Sequence, residues 1–234
     1  METLRRRLIG RDPLFHDRGD AGKRLAVALV GYRGQDALIL GIPRGGVPVA
    51  AEVARGLDGE LDVVVARKLG VPIQPELAMG AVTANGAMFL DEEIVAEVGV
   101  TKAELEAVIA RESAEAKARE LRFRDGRPPP RIARRTVIVV DDGLATGATM
   151  RAAVHAVRAQ HPGRLVVAVP VGSSYARDAL KGEADEVICL HAPEPFWAVG
   201  LYYDDFQPVE DREVQQMLQE FHVGARQMAM VAGG

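Results

Sequence analysis

Val137-Ile138-Val139-Val140-Asp141-Asp142-Gly143-Leu144-Ala145-Thr146-Gly147-Ala148-Thr149 joins a strand, two carboxylates, a turn of small residues and the start of a helix. Its unbroken β-branched run suits a strand covered on both faces, as in a parallel sheet. Ligands of such sheets bind off the carboxyl ends of the strands, where Asp141 and Asp142 stand. No side chain from Ala145 to Thr149 is larger than threonine, so backbone N–H groups can close around a phosphate. The helix N-terminus adds partial positive charge, and Thr146 and Thr149 add hydroxyl donors. Two acids beside a phosphate would repel it unless they face a neutral diol or a cation. A ribose offers the first and Mg²⁺ the second. The stretch therefore points to a ribose phosphate. Asp141 and Asp142 are also placed to stabilise positive charge on a sugar ring as its C1 bond breaks. Neither a P-loop nor a dinucleotide fingerprint occurs in the chain.

The surrounding sequence alternates short apolar runs with helical patterns, which predicts an α/β fold with a mostly parallel sheet and helices on both faces. A helix is predicted from Asp20, with Ala21, Leu25, Ala28, Leu29 and Tyr32 on one face. Residues 37–42 read as a strand, broken by Pro43-Arg44-Gly45-Gly46. A helix follows, with Ala50, Val53, Ala54 and Leu57 as its core stripe and Pro48 in its first turn. Residues 61–66 read as the next strand, ending in Arg67-Lys68. Asn85-Gly86 predicts a hairpin, Asp91 a helix cap, and Thr101-Lys102-Ala103-Glu104 a capping box opening a longer helix. The second half of that helix, residues 111–124, is nearly all charged residues and alanine. It is expected to face solvent or to pack on another subunit, in which case the chain is a homo-oligomer. Pro128-Pro129-Pro130 ends it. Residues 136–140, 165–171 and 186–190 read as strands. The helix over residues 147–160 turns Met150, Ala153, Val154 and Val157 inward and Arg151, His155 and Arg158 outward. Val214, Met217, Leu218 and Phe221 mark a last helix, with fraying expected from Met228.

The chain has 234 residues, 48% of them hydrophobic, enough to bury a core without disulfide or structural metal. Cys189, the only cysteine, lies in an apolar run and reads as a buried, inert thiol. The net charge of −4 and the lack of a dominant basic tract argue against nucleic acid as a partner. Arg5-Arg6-Arg7 reads as a solvated terminus with no apolar core behind it, so no secretory signal is expected. With no apolar run near ~20 residues, no membrane span is expected either, and a cytoplasmic location follows. The histidines, His16, His155, His161, His191 and His222, lack metal-ligand spacing.

An apolar strand, two acids and a Thr-Gly-x-Thr turn resemble the motif that binds phosphoribosyl pyrophosphate (PRPP) in type I phosphoribosyltransferases. The likeness runs from about Ala37 to Leu190. More narrowly, the chain is similar to a bacterial group of predicted phosphoribosyltransferases without an assigned substrate. Phe15-His16-Asp17-Arg18, Gly41-Ile42-Pro43-Arg44-Gly45-Gly46-Val47-Pro48, Arg67-Lys68-Leu69-Gly70, Pro75-Glu76-Leu77-Ala78-Met79-Gly80 and Ala198-Val199-Gly200 suggest this. The resemblance implies a single domain over residues 1–234. Its core would cover about 20–70 and 132–192, with an insertion at about 71–131. A small hood would form from the N-terminal segment and about 193–210.

The implied activity is Mg²⁺-dependent transfer of ribose-5-phosphate from PRPP to a nucleobase-like small molecule, with release of pyrophosphate. Ala145, Thr146, Gly147, Ala148 and Thr149 would hold the 5′-phosphate. Arg44, Gly45 and Gly46, in a loop that often contains a non-proline cis peptide in the family, would hold pyrophosphate with Arg67 and Lys68. By likeness to the 6-oxopurine enzymes, Trp197, or alternatively Phe196, would stack on the acceptor, and Asp204 would touch metal. Two departures qualify a purine acceptor. Ala145 stands where those enzymes carry an Asp, and Gly172-Ser173-Ser174 stands where they place a Lys. Glu76 is a further acid/base candidate. A PRPP- or nucleotide-binding regulator without chemistry, and a phosphatase using the same cradle, are the rival readings.

Overall fold

A computed structural model describes residues 12–232, with side chains through residue 223. The run Arg5-Arg6-Arg7 and Gly233-Gly234 lie outside the described residues. In chain order the elements begin with α1 (Arg18–Ala28), β1 (Leu38–Gly41), α2 (Gly46–Leu57) and β2 (Glu60–Val63). Then come β3 (Ala66–Val71), β4 (Gln74–Thr83), β5 (Met88–Leu90), α3 (Glu92–Val98) and α4 (Lys102–Arg124). The remainder is β6 (Thr136–Val140), α5 (Ala148–Arg158), β7 (Arg164–Val171), α6 (Ser174–Ala179), β8 (Glu186–His191) and α7 (Asp211–Ala232).

Five strands pair in parallel in the order β2-β1-β6-β7-β8. Alternate residues of each strand serve opposite faces, as the pleat requires. Ile39, Ile138, Val140, Val166 and Ala168 pack with α2, α1, the second half of α4 and the start of α7. Leu38, Leu40, Val137, Val139, Val167 and Val169 pack with Met150, Val154 and Val157 of α5 and with α6. The predicted core stripes of α2 and α5 are buried throughout. β3, β4 and β5 form a separate antiparallel sheet, with the hairpin at Asn85-Gly86 where the sequence places it.

Several boundaries differ from the sequence reading. Helix α1 starts at Arg18 rather than at Asp20, and Asp17 caps it by accepting the Asp20 N–H at 2.7 Å. Helix α1 stops at Ala28, which is exposed, and Val30–Tyr32 is a 3₁₀ turn. The apolar run 61–66 is not one strand. β2 ends at Val63, and the chain crosses at Val64 and Val65 into β3, whose partner is β4. Arg67 and Lys68 therefore belong to the antiparallel sheet rather than to the end of β2. The outward face of α5 is partly covered by the hairpin. Arg151 stacks over the Phe89 ring at 3.7 Å, and His155 Nδ1 lies 2.9 Å from the Met88 carbonyl. Backbone helix α7 continues through Ala232, past the fraying expected at Met228.

One side of the charged half of α4 packs on its own chain, while Arg111, Glu115, Lys117, Leu121 and Arg122 are exposed to solvent as the sequence leads one to expect. Ala116 and Phe123 are fully buried. Arg124 donates to Asp62 at 2.8 Å, to Glu120 at 2.7 Å and to the Val63 carbonyl at 2.9 Å. A residue-type pattern cannot reveal this, because the burial depends on partners supplied by β2. Burial pushes the Asp62 carboxyl above its usual value, with Arg124 opposing. Arg124→Met is expected to leave Asp62 without its cation and to lower stability by about 2 kcal/mol in urea denaturation.

Candidate active site

β1 is followed in the chain by β2 on one side, whereas β6 lies on the other, so the strand order reverses between β1 and β6. That reversal opens a crevice at the carboxyl edge, where α/β sheets place ligands. In-register pairing sets Gly41 opposite Val140, and the Ile42 N–H donates to the Val140 carbonyl at 2.9 Å. The segments leaving β1 and β6 must therefore meet, and they do so in close contact. A Cβ on Gly45 would lie 1.9 Å from Asp142 Oδ2, and one on Gly46 would lie 2.9 Å from Asp141 Cα. Only glycine permits this approach at both positions. The Pro43–Arg44 peptide in this turn is cis.

Asp141 and Asp142 are partly buried beneath this turn. Desolvation, reinforced by the charge of Asp142, pushes the Asp141 carboxyl well above the ordinary carboxylate range. Desolvation also raises Asp142, with Arg18 opposing. The acids are not equivalent. Arg18 Nε donates to Asp142 Oδ2 at 2.9 Å, with the two side chains only 12% and 15% exposed. The Arg18 guanidinium also lies 3.8 Å over the Phe206 ring and donates to the Gln207 carbonyl at 2.7 Å. Sequence reasoning did not assign Arg18 a role. The need of a paired acid for a counter-charge is the only signal, and the partner lies 124 residues away in the chain.

Beyond the acids, the turn is built as the sequence suggests. Ala145 and Thr146 are exposed, and Gly147 turns the chain at φ 84°, a left-handed conformation that favours glycine. The first turn of α5 leaves N–H groups without intrahelical partners at this edge. The Leu144 N–H donates to the Val171 carbonyl at 2.9 Å, and Ser173 Oγ donates to the Ala145 carbonyl at 2.7 Å, tying the turn to β7 and α6.

The segment carrying Val199 and Tyr203 packs against the same edge. A Cβ on Gly143 would lie 2.4 Å from Val199, and the Tyr203 hydroxyl donates to the Asp142 carbonyl at 2.6 Å. Phe15, Tyr202 and Tyr203 form a small buried cluster with Phe196 and Phe206 around it. Phe196 stacks on Tyr202 with ring centroids 5.3 Å apart, whereas Trp197 is 55% exposed. The Asp204 carboxylate is 59% exposed and lies 3.6 Å from His16 Nδ1.

Arg67 and Lys68 stand apart from this meeting point in sheet terms. Glu112 of α4 receives Arg67 Nε at 2.9 Å and Nη2 at 2.8 Å, and Lys68 donates to the Glu76 carbonyl at 2.5 Å. They line a cavity of about 310 Å³ with Gly70, Pro75, Arg111 and Glu112. Cys189 is half-buried, and burial raises its thiol. Among the described residues no helix is long and apolar enough to cross a membrane.

Residues 15–205 match the phosphoribosyl transferase domain. Two provisionally named phosphoribosyl transferases of Mycobacterium tuberculosis, from strains CDC 1551 / Oshkosh and H37Rv, are each 45% identical over 209 residues, which is 89% of this chain. The match covers 47% of each, so the chain spans about half the length of these curated relatives. Among solved structures the chain is similar to TT1426 of Thermus thermophilus. The two are 45% identical with a TM-score of 0.76, over 88% of this chain and 98% of that one. A hypothetical protein of Neisseria gonorrhoeae shares the fold at a TM-score of 0.50 and 14% identity, over 90% of this chain and 98% of that one. The chain belongs to the phosphoribosyl transferase family.

Proposed function

We propose that this chain transfers ribose-5-phosphate from PRPP to a nitrogenous, nucleobase-like acceptor and releases pyrophosphate. The observation that carries the reading is the contact of the Arg44-Gly45-Gly46 turn with Asp141 and Asp142. The Arg44 and Gly45 N–H groups would then take an anion beside two acids that suit a pentose, whereas the Gly46 N–H already donates to the Ile42 carbonyl at 3.0 Å. In this reading the turn from Ala145 to Thr149 takes the 5′-phosphate. Arg44, Gly45 and Gly46 take the pyrophosphate, and Arg67 and Lys68, held on the antiparallel sheet by Glu112 and the Glu76 carbonyl, would have to leave those partners to join them. Asp141 and Asp142 face the diol and stabilise the oxocarbenium-like sugar. The C1–O bond breaks with its electron pair leaving on pyrophosphate. The acceptor nitrogen supplies the pair for the new C1–N bond and gives up its proton.

The donor set suits Mg²⁺ carried in on a polyphosphate. No group of three or more His, Cys, Asp or Glu among the described residues could cage a metal. Mg²⁺ needs no such cage, because one or two carboxylates, substrate phosphates and water complete its shell. Asp204, with its accessible carboxylate, would hold it. The ion would neutralise charge building on the leaving pyrophosphate.

Trp197 offers the accessible ring for the acceptor, since Phe196 is already stacked. Trp197→Ala is expected to change stability by less than about 0.5 kcal/mol, because the ring is exposed. The same variant is expected to raise the acceptor KM roughly tenfold through lost stacking. Urea denaturation checks the first statement, and pyrophosphate release from PRPP across a panel of nucleobases checks the second. One observation favours a non-catalytic PRPP- or nucleotide-binding role. Arg67 and Asp142 are already paired, with Glu112 and Arg18. PRPP binding without pyrophosphate release for any base would establish that alternative, and release of inorganic phosphate would indicate a hydrolase.

A further inference from the structure

Arg44, Arg119 and Arg122 converge on a single carboxylate. Asp211, at the start of α7, lies 3.6 Å from Arg44 Nη1, 3.3 Å from Arg119 Nη2 and 3.4 Å from Arg122 Nη1. Glu112 and Asp178 each take two cations, and in other places a single arginine takes two acids. Arg124 has both Asp62 and Glu120, and Arg135 has both Asp36 and Glu60. Around Asp211 three guanidiniums share one acid, which leaves two positive charges uncompensated within the group. The other acid in the first turn of α7, Glu213, is turned to the Glu210 N–H at 2.6 Å.

The geometry is that of unsaturated donors. A tight charge-assisted N–H···O bond spans about 2.7–2.9 Å, and none of the three contacts is that short. One carboxylate has two oxygens and cannot satisfy three planar forks. All three arginines keep exposed surface, so a ligand can reach them. Arg119 and Arg122 are three residues apart on α4 and so share a face. Arg44 directly precedes Gly45 and Gly46, which meet Asp142 and Asp141, so the group is joined through Arg44 to the turn at the crevice between β1 and β6.

We propose that Arg44, Arg119 and Arg122 form a polyphosphate-accepting rim, and that Asp211 is the resident anion which an incoming diphosphate displaces. This gives α4 a role: it carries two cations to the edge of the site. The rim rests on the transferase reading only in identifying the diphosphate as part of PRPP. Asp211 holds the arginines together while the site is empty, and a diphosphate supplies more charge and more acceptor oxygens than Asp211 does.

The two halves of the proposal predict opposite signs. Calorimetric titration with inorganic pyrophosphate is expected to show binding weakened roughly tenfold or more in Arg119→Ala/Arg122→Ala, from loss of two charge-assisted contacts. Asp211→Asn is expected to tighten it about threefold by removing the competitor. A purely structural network would weaken binding in both variants. Asp211→Ser, which keeps an oxygen at the start of α7, serves as the second variant, with Tm recorded for each. Pyrophosphate affinity within twofold of the parent in the double arginine variant would overturn the rim, as would weaker binding in both Asp211 variants. A parallel titration with ribose-5-phosphate is expected to be unmoved by all of them. Failure of the parent protein to bind ribose-5-phosphate would sink the transferase reading and leave the rim standing.

Discussion

Asp141→Asn/Asp142→Asn is expected to lower PRPP-dependent pyrophosphate release by about 10³-fold, in line with loss of electrostatic groups aimed at a developing charge. Unchanged turnover would remove both acids from the chemistry. Each residue is also expected to leave its own mark on stability. Asp141 holds its proton more tightly in the folded chain than its ordinary value of 3.8, because burial and the neighbouring Asp142 charge oppose ionisation. Between the unfolded and folded pKa values the native state therefore binds more protons. Stability present below the unfolded value is lost as pH rises through the folded one. Asp141→Asn removes that loss, so its stability advantage over the parent should grow as pH rises out of the acid range and then level off. Asp142→Asn should gain less or lose, since it strips Arg18 of a partly buried anion. Thermal melts of both single variants across pH check the order. A parent protein whose stability rises steadily with pH, with Asp141→Asn offering nothing, would contradict it.

Gly45→Ala carries the second large effect. The Gly45 backbone is ordinary helical, φ −64° and ψ −32°, so alanine is not strained there by its torsions. The added carbon would instead lie 1.9 Å from Asp142 Oδ2 and 2.7 Å from its Cγ. Either the turn lifts or Asp142 swings away from Arg18. Catalytic efficiency should fall about 100-fold, and stability by about 1–3 kcal/mol as for an overpacked core. Gly31→Ala, with no atom within 4 Å of the new carbon, is the control and should be nearly neutral. Equal behaviour of the two variants in activity and urea denaturation would mean the turn does not rest on the acid.

Legibility in the sequence followed the range of the interactions. The strand at Thr136–Val140, the hairpin at Asn85-Gly86 and the Thr101–Glu104 capping box all form where the sequence placed them. Each is decided by residues a few positions apart. The run 61–66 misled because apolar residues continue through the crossing from one sheet to the other. The buried side of α4's charged half was hidden for a related reason. Its glutamates and arginines look solvated until Asp62, Asp211 and Arg67 arrive from other elements. Arg18 was invisible as a site residue because the acid it meets, Asp142, is brought to it only by the fold.

What the chain determined by itself was local: a β-branched strand end, two acids, a turn without bulk, and glycines after β1. These follow from torsional freedom, hydrophobic periodicity and side-chain size, all readable residue by residue. Only the tertiary structure decided which charges meet, setting Arg18 on Asp142, Glu112 on Arg67 and three arginines on Asp211. Electrostatic pairing depends on distance and on exclusion of water, and neither exists before the sheet, α4 and α7 have packed.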